Sequence, residues 1–194
     1  MFDLNPEFDE FLTLWRNLPR RAHLCLPCKS DITPAVFGNL LHYVALAERR
    51  GAQSLYVVYA GDGYERNAGF PVMGRDYYDI LPENFIKPMT QFHNNLLGTP
   101  CGAYIADVIG TTEGSQYIHY NVQFPATDEK GEVRYLIGYG LDRKPYTDKG
   151  TRTYTSHAPS NIKDMVYLDL GAGAPSAYVK DFTFHRADQL SGIR

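Results

Sequence analysis

The 194-residue chain is long enough for one domain with extensions and too short for two full domains. An apolar share of 44% allows a real core, and a 13% aromatic share, carried mainly by 15 tyrosines, favours a sheet-rich structure. The net charge of −3, with acids and bases interspersed, leaves no basic stripe to mark a nucleic-acid footprint, which argues against DNA binding by this chain alone, and no nucleic-acid partner is expected.

No apolar run reaches the length of a membrane span. The start, Met1 to Glu7, lacks the basic and apolar regions of a secretion signal. Three cysteines, Cys25, Cys28 and Cys101, form no disulfide framework, so the expected compartment is a reducing cytoplasm. No internal repeat appears at solenoid or propeller periods.

Asn5-Pro6-Glu7 reads as a helix cap, a first-position proline and an early acid. Phe8, Phe11, Leu12, Trp15 and Leu18 follow at helical spacing, and Pro19 ends the helix. Thr33-Pro34 opens a short helix through about Leu40. Apolar runs Leu41 to Arg49 and Ser54 to Ala60 predict two strands, with Arg50 to Gln53 as a hairpin loop. Gly61 to Leu81 predicts tight turns and small helices.

A helix is expected from Pro88 to Leu97, because a proline inside a helix removes one hydrogen bond. Three strands follow, Gly102 to Ile109, Ser115 to Phe124 and Val133 to Leu141, joined by turn-rich segments at 110–114 and 127–131. The order is that of an α+β fold with one antiparallel sheet. The tail, Asp142 to Arg194, carries two further strand segments, Met165 to Leu170 and Ala177 to Arg186. It is expected to extend the sheet, cover an edge or reach a partner.

The order ββ-helices-βββ resembles that of PAS domains. Trp15, Leu26-Pro27 and Asp31-Ile32-Thr33-Pro34 look like the opening of a bacterial family of short single-domain PAS proteins. The resemblance continues through Tyr59-Ala60-Gly61, Gly74-Arg75, Pro125 and Gly131 to Gly138, and so covers Leu12 to Arg143. It implies a five-stranded PAS-like sheet with a helical middle (31–143), preceded by an N-terminal helix and loop (1–30) and followed by an extension (144–194). The implied function is signalling: a module that binds a small molecule, a protein partner or both, in the cytoplasm, as a homodimer.

The last strand is also similar to that of flavin-binding PAS domains. Those place a glutamine near the position of Gly140 and a cysteine shortly after a glycine in the helical middle. Gly74-Arg75-Asp76-Tyr77-Tyr78 has no cysteine, which argues against flavin-adduct chemistry. The comparison turns Tyr117, His119, Asn121, Gln123, Leu136, Gly138 and Gly140 toward the helices and any cavity. Ile118, Tyr120, Val122, Phe124, Val133, Tyr135, Ile137 and Tyr139 then face the other way. Strand alternation independently separates the two sets. The second set is too apolar to face water, and the stripe on residues 8–18 is its expected cover, from this chain or from a dimer partner.

The polar row Tyr117, His119, Asn121 and Gln123 needs partners when buried, and reads either as a ligand site or as an internal network. Phe92 and His93, on the helix before the third strand, complete the expected pocket. Heme-binding relatives take an iron ligand from the region of His93, which makes heme a minor option.

His23-Leu24-Cys25-Leu26-Pro27-Cys28 supplies half of a zinc site without a second pair, so no metal is expected. Val166 to Gly173 resembles a methyltransferase nucleotide loop, but Pro175 leaves no helix for it to open. No catalytic motif is readable. The alternatives are a small enzyme on a cone-shaped α+β fold, using a carboxylate such as Asp107 and the tyrosines, or a ligand-free adaptor.

Overall fold

The computed structural model describes residues 4–81, 83–110, 115–147 and 162–175. The expected strand Ala177 to Arg186 and most of the 110–114 connection lie outside the described residues.

At the N-terminus the Asn5 Oδ1 accepts the Glu7 N–H at 3.1 Å, and a single 3₁₀ turn, Pro6–Phe8, leads into α1, Asp9–Asn17. Every residue of the predicted stripe is buried: Phe8, Phe11, Leu12, Trp15 and Leu18. The short helix α2, Pro34–Phe37, ends sooner than the sequence suggests. Gly38 turns at φ +49° and the chain continues as a 3₁₀ helix, Gly38–Tyr43, so the first strand starts later than expected.

β1, Val44–Gly51, and β2, Ser54–Ala60, form a hairpin. At its end the chain must pass close to the preceding turn: a Cβ at Gly61 would stand 2.2 Å from the Leu41 carbonyl oxygen. Only glycine fits there, which is the physical content of the Tyr59-Ala60-Gly61 motif. α3, Asp62–Ala68, follows, and later a 3₁₀ turn at Tyr78–Ile80.

The next helix corrects the sequence reading. α4 spans Glu83–Gly98 and runs through Pro88 instead of beginning there. Proline forfeits one backbone bond, but Met89, Phe92 and Leu96 are buried against the sheet with Phe85 beside them, and that apolar face outweighs the loss.

β3, Gly102–Gly110, β4, Gln116–Thr127, and β5, Val133–Gly140, complete the meander. Among the described residues the expected five strands become seven, because the extension adds β6, Lys144–Pro145, on β4, and β7, Ile162–Leu168, on β3. The sheet order is β2-β1-β5-β4-β3-β7, antiparallel throughout, with the helical middle between β2 and β3. This is a PAS-like α+β fold.

Buried apolar clusters pack on both faces of the sheet. On one face α1 packs in the same chain: Trp15 stacks on Phe124 at 4.9 Å and Phe11 on Tyr139 at 4.6 Å. That face is thus covered without a second copy, which removes the apolar-surface reason for expecting a dimer. On the other face α4 packs over Ala103, Ile105, Met165 and Tyr167.

Two sequence signals resolve into local turns. The His23 Nδ1 accepts the N–H groups of Cys25 and Leu26, and the Asp169 Oδ1 accepts those of Gly171 and Gly173. Both are side chains standing in for a backbone turn. Among the described residues no group of three or more His, Cys, Asp or Glu side chains could hold a metal ion. No described helix is long and apolar enough to cross a membrane.

Candidate functional site

A cavity of about 390 Å³ lies between the inner sheet face and the helical middle. This is within the size range of small-molecule sites. β1 and β2 supply Ala45, Ala47, Leu55 and Val57, α3 supplies Tyr64 and Asn67, and α4 supplies Phe85, Met89 and His93. The sheet floor is Ile105, Asp107, His119, Asn121, Gln123, Leu136 and Gly138, with Arg143 just beyond β5.

The strand register orders this floor. Asp107 stands opposite His119, Ile105 opposite Asn121, and Gly138 between Gln123 and Ala45. Polar groups therefore gather at one end, and Leu136, Ala47 and Leu55 line the other.

Six of the nine pocket residues expected from the sequence meet at this cavity: His93, His119, Asn121, Gln123, Leu136 and Gly138. Three do not line it. Phe92 is fully buried and packs toward Tyr167, with ring centroids 6.1 Å apart. Tyr117 sits where β4 pairs with the end of β3 and with β6. Gly140 lies behind His119, where a Cβ would stand 2.7 Å from the imidazole Nε2. Gly138 is the glycine that opens space, since a Cβ there would meet only the Tyr64 ring at 3.8 Å.

His119 Nδ1 lies 3.2 Å from Asp107 Oδ1, and Gln123 Nε2 donates to Asn121 Oδ1 at 3.3 Å. Among the described residues, His119 Nε2 and Arg143 Nε are buried in the wall without a hydrogen-bond partner. Burial lowers the pKa of Arg143, and the nearby Asp107 charge opposes that shift.

His93 is 3% exposed and its Nδ1 lies 3.0 Å from the Tyr78 hydroxyl. Burial pulls its pKa down to about 3, with a side-chain hydrogen bond to Gln123 acting in the opposite direction, so the imidazole is neutral at physiological pH. Tyr64 and Tyr77 face the cavity, and neither hydroxyl bonds a described residue. Burial pushes the Tyr64 phenol up to about 12 and raises that of Tyr77 as well. Both remain O–H donors at any physiological pH.

None of the three cysteines lines the cavity. Cys28 pairs with Thr127 through an isolated bridge, Cys101 is buried at the start of β3, and Cys25 packs near Gly171.

Sequence reasoning missed Tyr64, Asn67, Tyr77 and Arg143. They come from the turn-rich middle and from the residues after β5, where no periodicity assigns a face. Asp107 was readable, since alternation along β3 puts it on the side of Ile105.

No family model matches the chain, and no curated protein is significantly similar to it. Several solved structures align with part of it. Vibrio cholerae VqmA, described as a LuxR-type receptor and in another structure as bound to DPO, is 20% identical. That alignment covers 54% of this chain and 48% of the other, with a TM-score of 0.38, so the match spans about half of VqmA.

An RNA-binding Light-Oxygen-Voltage receptor is 18% identical over 65% of this chain and 36% of that one, with a TM-score of 0.42. The blue-light photoreceptor Vivid is 16% identical over 70% and 95%, with a TM-score of 0.39. What those proteins bind belongs to them.

Proposed function

We propose that this protein is a sensory or regulatory module that holds a small organic molecule in the cavity and passes its state to a protein partner. The observation that carries this reading is a cavity of about 390 Å³ with apolar walls, one end of which is lined by the polar side chains of Asp107, Asn121, Gln123 and Arg143. Apolar walls with a few convergent polar groups are the usual make-up of a small-molecule site.

The cavity lies between the sheet and both α3 and α4, so its occupant contacts elements that can shift against the sheet. A ligand that binds two arrangements of those helices unequally moves the balance between them. Phe70 lines the cavity while 41% exposed, and Met73 nearby is 55% exposed. This apolar pair joins the pocket to a surface that a protein can read.

The Asp107–His119 pair favours a second reading, an enzyme with His119 as general base. Its Nε2, however, is turned against Gly140 and closed to water, so it does not meet a substrate proton.

Native mass spectrometry of freshly purified wild-type protein and of Gly138→Leu tests the proposal. A bound mass of a small molecule, present in the wild type and lost in a folded Gly138→Leu, is the expected result. A wild-type mass equal to that of the chain, with no ligand found in a metabolite screen, would place the adaptor reading first.

A further inference from the structure

The cavity is polar at one end and apolar at the other, and its polar end is rich in donors. Arg143 lines it with a guanidinium that has no carboxylate within ion-pair distance among the described residues, and with an Nε that is buried and unpartnered. Asp107, the acid whose charge acts on it, is hydrogen-bonded to His119 instead. Tyr64 and Tyr77 add two hydroxyls without a bond to any described residue. The Arg143 side chain is half-buried, so it meets both the cavity and solvent. The planar fork of a guanidinium matches the two oxygens of a carboxylate.

Resting on the reading above, we propose that the ligand is an amphipathic monocarboxylate, its head against Arg143 and its apolar body directed toward Leu55, Leu136 and Met89. Asp107 is what limits the head to a single negative charge. It stands in the same end of the cavity, and a phosphate dianion there would face its carboxylate at close range. The apolar end, lined from β1, β2, β5 and α4, suits an aryl or short alkyl body and not a second charge.

The test uses the full chain and three probes of similar body: 3-phenylpropionate, neutral 3-phenylpropanol and phenyl phosphate. Each is titrated calorimetrically into wild type, Arg143→Gln and Arg143→Lys. The carboxylate should bind the wild type about tenfold or more tighter than the alcohol, the scale of one charge-assisted pair. Arg143→Gln should erase that preference while leaving the alcohol within about twofold, and Arg143→Lys should restore part of it.

An unchanged melting temperature and alcohol affinity in Arg143→Gln show that the variant is folded. Alcohol binding as tight as the carboxylate, or an Arg143→Gln that keeps the preference, overturns the assignment of the head group but leaves a ligand cavity standing. Tighter binding of phenyl phosphate overturns the single-charge limit and with it the proposal. Failure of all three probes to bind overturns it too, and a wild-type protein also free of any bound mass removes the cavity reading beneath it.

Discussion

The imidazole of His119 rests against the backbone of Gly140, close enough that a Cβ there would stand 2.7 Å from Nε2 and 3.2 Å from Cε1. The same ring reaches the other way to Asp107, so the glycine fixes the ring that holds the carboxylate.

Gly140→Ala should therefore push the ring off its seat, break the Asp107 contact and lower unfolding free energy by about 1–3 kcal/mol. Urea denaturation measures the loss, and the His119 ring resonances report the displacement. A variant of wild-type stability with unmoved resonances refutes the packing described.

Trp15→Ala removes the side chain that stacks on Phe124 beneath α1, both of them fully buried. The expected cost is about 3–5 kcal/mol, the usual range for emptying a large aromatic site. Deleting residues 1–20 uncovers Phe124, Ile137 and Tyr139 together, and aggregation by light scattering is the expected outcome. A soluble, monomeric deletion product of unchanged melting temperature would show that the helix is dispensable.

His93 gives the protein an acid-sensitive core. Its folded pKa of about 3 lies below the ordinary 6.5, so the fold favours the neutral ring. That stability is fully present above the unfolded pKa. It is lost as pH falls from about 6.5 toward 3, at up to about 1.4 kcal/mol per pH unit. His93→Asn, which cannot protonate, should be less stable than wild type near neutrality yet lose less on acidification to about pH 4. Parallel losses in the two proteins, read from urea midpoints across that range, would count against a neutral buried His93.

Much of this architecture could be read from residues alone. The stripe from Phe8 to Leu18 specified both the helix and its buried face. Alternation along β4 separated His119, Asn121 and Gln123 from Ile118, Val122 and Phe124. Pro88 misled because local backbone chemistry is a weaker force than the burial of Met89, Phe92 and Leu96 around it. Phe92 and His93 were paired in the expected pocket although adjacent helical positions point about 100° apart, and only His93 reaches the cavity. Tyr64, Tyr77 and Arg143 were illegible for another reason: short helices and turns have no period, and tertiary contacts alone decide their facing.

β7 lies beyond a long intervening segment, yet pairs with β3 from Gly102 to Asp107. During synthesis β3 leaves the ribosome well before its second neighbour exists. Until Ile162–Leu168 emerge, one row of its N–H and C=O groups stands bare, beside the apolar residues Ala103, Ile105 and Val108. Such a row is a template for pairing with any passing chain. A product cut before residue 162 keeps that template for its lifetime, and proteolytic trimming of the segment that carries β7 thus turns a folded domain into a seed for fibrous association.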